Sequence, residues 1–221
     1  MANCCKGDES LPATAWEPDR AGAIRLGSFN RHEKIRGWTL RLWAKVLHAL
    51  ADPQLGLVDH AREASERHEH ILALLADCCI ESHRVLFLPP VAARDVARFL
   101  ALYDIFGIAL DTIPFNSGRT AFDALWMGVP LAALEGIRIC GRMAATIARN
   151  QGHPAWAATS EDQYVSIVCT LARDVEGRKK LRNTLRASML TSPVMDEDWP
   201  ARWKMLFKQC TIAGNGRYEI G

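Results

Sequence analysis

Two spacings of apolar residues follow each other in a regular order along the chain. Short apolar or alternating runs, typical of strands, occupy residues 23–29, 55–58, 84–88, 108–110 and 130–134. Between these runs, apolar residues recur at helical spacing, over residues 40–50, 61–77, 94–103, 138–150 and from about residue 119. Strands that alternate with helices predict a doubly wound α/β fold with a mostly parallel sheet.

The two ends of the chain have different patterns. Residues 1–21 are polar, rich in turn formers and without periodicity, which predicts a flexible leader. Beyond residue 152 the spacing is helical, and it predicts extra helices over residues 161–174, 176–190 and 197–210. In the last of these, Trp199, Trp203 and Phe207 form a stripe that should pack in the core. We therefore expect one domain over residues 22–210 and a frayed tail over 211–221.

Charge and composition exclude several classes of partner. The formal net charge is only +2, from 27 basic and 25 acidic side chains, so no general field attracts nucleic acid or a membrane. No apolar run has the length of a membrane span, and the first residues lack the apolar core of a signal peptide, which predicts a cytoplasmic protein. A basic cluster in residues 176–190 has acidic and apolar neighbours and is interpreted as a solvated helix face. Its members are Arg178, Lys179, Lys180, Arg182 and Arg186.

Cysteine and histidine residues are too irregularly spaced to predict a metal centre. The seven cysteines include two adjacent pairs but no C-x-x-C, so we expect free thiols. His60, His68 and His70 are interpreted as solvated helix residues, because His68 and His70 would point to different sides of a helix. No Walker loop, nucleophile elbow, metalloprotease motif or dinucleotide fingerprint occurs in the sequence.

Residues 108–130, IALDTIPFNSGRTAFDALWMGVP, read as a buried strand, a polar loop and the start of a helix. The apolar run stops at Asp111, and the helix should begin near Arg119 and Thr120. Free backbone N–H groups and the helix dipole favour an anion there, Arg119 and Thr120 could add donors, and Asp123 would face the same end. The alternative is an ordinary connection in which Thr120 caps the helix and Arg119 is solvated.

Three loops should meet at the carboxyl edge of such a sheet, where ligands bind in α/β proteins. They are residues 30–34, 89–94 and 111–120. Lys34, Arg31, Arg119 and Thr120 lie in these loops and could converge on one anion. A nucleotide diphosphate fits this arrangement.

Four segments resemble the catalytic region of the protein O-GlcNAc transferase and SPINDLY family, specifically its C-terminal half. They are GSFNRHEKI at residues 27–35, LALYDIFG followed by the stretch just described at 100–130, GRMAAT at 141–146, and EDQYVSIVCTLARD at 161–174. The resemblance covers residues 23–208 and keeps the order and spacing of the family. It implies the Rossmann-like, donor-binding C-terminal lobe of a two-lobed GT-B glycosyltransferase that uses UDP-GlcNAc.

The resemblance also implies roles for individual residues. Lys34 matches the family lysine that contacts the donor diphosphate, and it is the residue expected to act in catalysis by stabilising the leaving UDP. Arg31 matches the polar residue three positions earlier. Gly118 and Thr120 belong to the loop whose threonine contacts the diphosphate, and Asp123 matches the acidic residue that holds the ribose.

The uridine side of the donor is implied to lie near the loop after the third strand. The backbone around Val91 and Ala92 would meet the base, and Phe99 falls near a family histidine beside the base. Arg119 replaces the usual family threonine, so it either adds a phosphate ligand or crowds the donor. Ring stacking survives a change from histidine to phenylalanine, whereas hydrogen bonding does not.

The resemblance favours transfer of N-acetylglucosamine from UDP-GlcNAc to Ser or Thr hydroxyls of proteins, with no metal or other cofactor. The expected partners are the nucleotide sugar and either a protein acceptor or a complementary N-terminal lobe, and neither nucleic acid nor membrane. Two alternatives are a non-catalytic nucleotide-sugar-binding module and a truncated half that requires a separate N-terminal lobe. GDP-fucose, which SPINDLY relatives use, is the alternative donor.

Overall fold

A parallel sheet forms the centre of the fold in the computed structural model, which describes residues 24–59, 65–91 and 95–195. Within these residues the sheet has six strands. They are β1 (Arg25–Ser28), β2 (Gln54–Val58), β3 (Val85–Leu88), β4 (Ile108–Leu110), β5 (Leu131–Leu134) and β6 (Ala157–Ala158). All neighbouring strands pair in parallel, as the alternating pattern predicts.

Helices connect the strands, and two more follow the sheet. They are α1 (Gly37–Ala49), α2 (Ser65–Ala76), α3 (Val96–Ala101), α4 (Arg119–Trp126), α5 (Met143–Asn150), α6 (Glu161–Arg173) and α7 (Val175–Leu190). Short 3-10 helices occur as well, including His32–Lys34 after β1 and Leu102–Ile105 after α3. Among the described residues, none of the helices is both long enough and apolar enough to cross a bilayer.

The predicted doubly wound fold is confirmed. The strand order is β3-β2-β1-β4-β5-β6, so the chain changes direction between β1 and β4. This change of direction leaves a crevice at the carboxyl ends of β1 and β4, where ligands bind in folds of this class. α1 packs against α2 and α6, and α4 packs against α7, so the extra C-terminal helices complete the cover of the sheet.

Prediction and structure agree closely at β4 and α4 and differ elsewhere. β4 occupies the predicted residues, and α4 begins at Arg119 as expected. The sequence pattern did not indicate β6, a strand of two residues. The predicted leader, the tail and the helix over residues 197–210 with Trp199, Trp203 and Phe207 lie outside the described residues, as do His60 and Ala92.

Two glycines allow an aromatic ring to lie directly on the sheet. The ring of Phe106, only 1 % exposed, covers Gly27 of β1 and Gly56 of β2. A Cβ atom at Gly27 would lie 2.5 Å from the ring, and one at Gly56 would be closer still. Phe106 stands just before β4, so this packing fixes the position of β4 against the first two strands.

The basic cluster of α7 is not a solvated face, and that prediction is wrong for three of its arginines. Arg178 is buried and donates to two backbone carbonyls at the end of α6. Arg182 donates to the carbonyls of Phe106 (2.6 Å) and Met127 (2.8 Å). Arg186 donates to the carbonyl of the last residue of α4, at 3.0 Å. Arginine can bury its apolar stem and still satisfy several carbonyls with its planar guanidinium, so charge alone does not mark an exposed face.

Candidate functional site

The candidate site is a cleft at the carboxyl edge of the sheet, between the ends of β1 and β4. Its lining includes Asn30 after β1, Asp111 after β4, and Ser117 and Thr120 at the start of α4. Buried strands end here, and their connections supply polar side chains and free backbone groups. The sequence places its predicted anion site at the same edge.

Lys34 reaches across the cleft to the loop before α4. It ends the 3-10 helix His32–Lys34, and its Nζ donates to the carbonyl of Asn116 at 3.2 Å. The same ammonium lies 4.3 Å from the centre of the Phe115 ring, in cation–π geometry. Burial lowers the pKa of Lys34, and the nearby Arg31 charge lowers it further, whereas Asp111 opposes both effects. The structure therefore brings two of the three predicted loops into contact, residues 30–34 and 111–120, with Lys34 at the junction and Arg31 exposed beside it.

The first turn of α4 has no side-chain cap. Gly118 is the N-cap residue, and within the described residues the helix start has no side-chain capping hydrogen bond. Thr120 lies inside the helix, so it is not the cap that the alternative interpretation required. The Thr120 carbonyl accepts a hydrogen bond from the Tyr103 hydroxyl at 3.1 Å. The N–H groups of Ala121 and Phe122 donate to the Gly118 carbonyl, whereas those of Arg119 and Thr120 remain able to bind an anion.

Arg119 and Asp123 lie one turn apart on α4. The Nε atom of Arg119 is 3.7 Å from Oδ2 of Asp123, and the Arg119 side chain is 71 % exposed. Burial raises the pKa of Asp123 to about 6, and the Arg119 charge partly counteracts this rise. Within the described part of the chain, Oδ2 of Asp123 accepts no hydrogen bond. Asp123 is therefore a largely buried carboxylate near the start of α4, and its Oδ2 atom can still accept a hydrogen bond.

Asp111 is the central residue that sequence reasoning did not select. Its Oδ1 accepts a 2.8 Å hydrogen bond from the backbone N–H of Ser117, and Asn30 Nδ2 lies at 3.5 Å. Burial raises the pKa of Asp111 to about 7, although hydrogen bonds from Ser117 and Thr112 and the Lys34 charge act in the opposite direction. In the sequence, Asp111 only marks the end of an apolar run. Its role depends on the fold, which places it between the Lys34 turn and α4.

Hydrogen bonds fix the loop between β4 and α4 at several points. Asn116 Nδ2 donates to the carbonyl of Thr112 at 2.9 Å and lies 3.4 Å from the carbonyl of Leu134 in β5. Thr39 of α1 donates from its hydroxyl to the carbonyl of Ile113 at 2.8 Å. The loop that receives Lys34 is thus tied to both neighbouring elements.

The family model for glycosyl transferase family 41 matches residues 17–200. The chain belongs to glycosyltransferase family 41. This result confirms the resemblance to O-GlcNAc transferase and SPINDLY proteins that the motifs indicated. The motif segments at residues 27–35 and 100–130 are those that form the cleft described above.

Curated relatives of this family 41 chain are much longer than it is. A barley (Hordeum vulgare) protein described as a probable UDP-N-acetylglucosamine–peptide N-acetylglucosaminyltransferase SPINDLY is 31% identical over 175 residues, 79% of this chain and 18% of the relative. A rice (Oryza sativa subsp. japonica) protein of the same description is 32% identical and matches 79% of this chain and 19% of the relative. The chain thus spans about a fifth of the length of these relatives.

Solved structures agree with the family 41 assignment. An O-GlcNAc transferase mutant from Thermobaculum terrenum superposes with a TM-score of 0.79 and 28% identity, over 95% of this chain and 40% of that one. Anabaena HepE in complex with UDP and glucose gives a TM-score of 0.57 at 15% identity, over 83% of this chain and 49% of that one, which shows a shared fold only. The fold is the C-terminal lobe of a GT-B glycosyltransferase, as predicted.

Val91 and Phe99, which are predicted to lie near the base of the donor, have different surroundings in this family 41 chain. Val91 is half-buried and stands three residues after β3, at the same edge of the sheet. Phe99 packs edge-on against Phe29, with ring centres 5.7 Å apart, and Phe29 stacks on Tyr103 at 3.5 Å. Phe99 therefore belongs to a cluster of aromatic rings with Phe29 and Tyr103. Its role beside a base stays a prediction.

The histidines of α2 differ from each other. His70 is exposed, as predicted. His68 is half-buried: its Nε2 lies 2.9 Å from Oδ1 of Asp59, and its ring stacks on Phe87. The interpretation of His68 as a solvated residue is wrong, because its partner is at the end of β2 and cannot be recognised from spacing along α2.

Asp111 should make the stability of the family 41 chain depend on pH. Its pKa is about 7 in the folded state and near 4 in the unfolded state, so the folded state binds more protons between these values. The stability from this difference is fully present at low pH and is lost as the pH rises toward 7. Between pH 5 and 8 the free energy of unfolding of the wild type should fall roughly 2 to 3 kcal/mol more than that of Asp111→Asn.

Urea unfolding at the two pH values measures this effect. Asp111→Asn keeps an oxygen acceptor for the Ser117 N–H, so the two proteins should differ mainly in titration. Parallel pH profiles for the two proteins would contradict the assignment.

Proposed function

We propose that this chain is the donor-binding lobe of an enzyme that transfers N-acetylglucosamine from UDP-GlcNAc to Ser or Thr hydroxyls of proteins. One observation carries the proposal: the Lys34 ammonium contacts the loop that leads to the uncapped start of α4. The curated relatives, described as peptide N-acetylglucosaminyltransferases, indicate the sugar and the acceptor class.

In this proposal the donor diphosphate lies between Lys34 and the first turn of α4. Negative charge develops on the leaving UDP as the glycosidic bond breaks. The Lys34 ammonium, the first N–H groups of α4 and the Thr120 hydroxyl stabilise this charge. Fixed positive charge and oriented donors already surround the phosphates, so the transfer requires no metal. Gly118 makes room for Met143, whose Cε lies 2.8 Å from where a Cβ of residue 118 would stand.

The nucleoside lies along α4 and toward β3. The Asp123 carboxylate accepts from ribose hydroxyls, and the base lies toward the loop after β3, which Val91 and Ala92 belong to. Arg119 is directed toward Asp123, so it competes weakly with the ribose for this carboxylate. Its exposed guanidinium and that of Arg31 raise the positive potential around the diphosphate.

A second lobe or the acceptor protein covers the carboxyl edge of the sheet. Large apolar side chains are exposed around this edge, which is uncommon for a surface that faces only water. They are Trp38, Phe115, Ile137, Ile139 and Met143. This observation favours the alternative in which the chain binds the donor but needs a complementary N-terminal lobe for turnover. The four described cysteines are free thiols, which supports a reducing, cytoplasmic location.

Calorimetry with nucleotides tests the donor site. The full chain should bind UDP more tightly than 2′,3′-dideoxy-UDP, and Asp123→Ala should remove this preference while weakening UDP binding roughly 10-fold. Wild-type affinity for UDP should also fall as the pH drops through about 6, because protonated Asp123 accepts ribose hydroxyls less well. Asp162→Ala, on the exposed surface of α6, is the matched control and should change nothing.

Two further comparisons separate the alternatives. Absence of UDP binding would refute the donor site, and tighter binding of GDP would indicate GDP-fucose as the donor. Transfer of labelled GlcNAc to a peptide should appear when a complementary N-terminal lobe is added. If UDP binds but no sugar is transferred under either condition, the chain is a nucleotide-sugar-binding module.

A further inference from the structure

A second cluster of polar side chains lies beside the donor cleft, at the end of β2. It consists of His32 in the 3-10 helix after β1, Asp59 directly after β2, and His68 on α2. His68 Nε2 is 2.9 Å from Oδ1 and 3.0 Å from Oδ2 of Asp59, and His32 Nε2 is 3.2 Å from the same Oδ1. Three separate elements thus bring two imidazoles and one carboxylate together.

The spacing of these atoms suits a small metal ion. One ligand atom from each residue lies within 4.8 Å of the other two. In a tetrahedral zinc site with bonds of about 2.0 to 2.2 Å, neighbouring ligand atoms are separated by roughly 3.3 to 3.6 Å. The two separations between histidine nitrogen and Asp59 Oδ1, 2.9 and 3.2 Å, are slightly shorter than this range. The three ligands therefore need to move apart only slightly to surround an ion.

The surroundings hold each ligand in place. The Asp59 backbone N–H donates to the carbonyl of Leu88 in β3 at 3.0 Å, which anchors the carboxylate to the sheet. The His68 ring stacks on Phe87 with ring centres 3.7 Å apart. The side chains of His32 and Asp59 are only 4% and 7% exposed, whereas that of His68 is 25% exposed. The site is thus fixed on its inner side and accessible from α2.

We propose that His32, Asp59 and His68 bind one divalent transition-metal ion of the zinc class, through two imidazole Nε2 atoms and one carboxylate. Imidazole ligands favour Zn²⁺, Co²⁺ or Ni²⁺ over Mg²⁺ and Ca²⁺, which prefer oxygen ligands. Three protein ligands leave a coordination position for water. No group in this proposal contacts the donor sugar.

The consequence of metal binding is structural. His32 stands two residues before Lys34 in the same 3-10 helix, so an ion at this cluster would tie the Lys34 turn to α2 and β2. Without metal, the cluster is held by the contact of His68 Nε2 with both oxygens of Asp59, while His32 Nε2 lies 3.2 Å from the same carboxylate. If the cluster is a metal site, each chain takes up one ion; if it is held by hydrogen bonds alone, the chain takes up none there.

Titration of the metal-free full chain with Zn²⁺ and Co²⁺ distinguishes them. Wild type should bind one equivalent and gain thermal stability, and His68→Ala should weaken binding by about 100-fold or more, because it removes a direct ligand. His70→Ala is the matched control, since it changes an exposed histidine on the same helix and should behave as wild type. Far-UV circular dichroism verifies that each variant is folded.

Cobalt spectra identify the ligand type. Nitrogen and oxygen ligands should give weak visible bands, whereas a near-ultraviolet thiolate band would assign the ion to cysteines and overturn the proposal. Absence of uptake by the wild type, or equal uptake by His68→Ala, would overturn it as well. No nucleotide is present in these titrations, so their outcome is independent of the proposed donor site.

Discussion

Replacing Lys34 with alanine should weaken UDP binding by roughly 10- to 100-fold and leave uridine binding unchanged within about twofold. The two ligands differ only in the diphosphate, which Lys34 is proposed to contact. Lys34 Nζ already lies at the loop before α4, so the charge needs little rearrangement to meet a phosphate. Calorimetric titration of both ligands into both proteins measures the difference.

Two variants separate the charge of Lys34 from its structural role. Lys34→Arg should retain part of the UDP affinity, because it keeps a cation at this position. Lys45→Ala removes an exposed lysine that pairs with Glu161 at 2.7 Å, and it should bind UDP as wild type. An equal loss of affinity for UDP and uridine would contradict a direct phosphate contact and would indicate that Lys34 acts only through Asn116.

In an assay with a complementary lobe, turnover of Lys34→Ala should fall by roughly 100- to 1,000-fold, because the leaving-group charge is fully developed only in the transition state.

Replacing Arg182 with alanine should lower the free energy of unfolding by about 3 kcal/mol. The guanidinium donates to the carbonyls of Phe106 at 2.6 Å, Met127 at 2.8 Å and Tyr103 at 3.3 Å. Burial lowers the pKa of Arg182 to about 10, so the group remains charged at neutral pH. Truncation removes these hydrogen bonds together and leaves buried carbonyls without a donor. Urea unfolding followed by circular dichroism measures the loss.

The matched control for Arg182 lies on the same helix. Lys180→Ala removes an exposed cation of α7 and should change the free energy of unfolding by at most about 0.5 kcal/mol. Arg182→Lys should fall between the two, because an ammonium cannot reach several carbonyls in the directions of a guanidinium. If Arg182→Ala were as stable as Lys180→Ala, the arginine would not hold α7 in place.

The sequence predicts β4 to the residue and the start of α4 to within one residue, since the signals there are local. An apolar run ends at Asp111, turn formers follow, and helical spacing begins at Arg119. The order of strands and helices likewise predicts a parallel sheet, because parallel strands require crossover connections. Local chemistry and the demands of the fold coincide in this part of the chain.

The errors concern side chains whose partners are distant in sequence. Arg182 donates to a carbonyl 76 residues away, and Arg186 donates to one 60 residues away. His68 lies nine residues from Asp59, but the two belong to different elements. Residue type and spacing along the chain cannot show which distant carbonyl or carboxylate accepts a hydrogen bond from a given side chain. β6 was missed for a different reason: two alanines carry no periodicity.

The loop between β4 and α4 is held in its shape before any ligand arrives. The Thr39 hydroxyl of α1 donates to one carbonyl of the loop, and the Asn116 side chain, within the loop, donates to another. Little conformational entropy of the loop therefore remains to be lost when a nucleotide binds. An inserted residue would have to break at least one of these hydrogen bonds. Changes in donor preference, whether natural or engineered, should therefore accumulate in side chains around the loop, while its length stays constant.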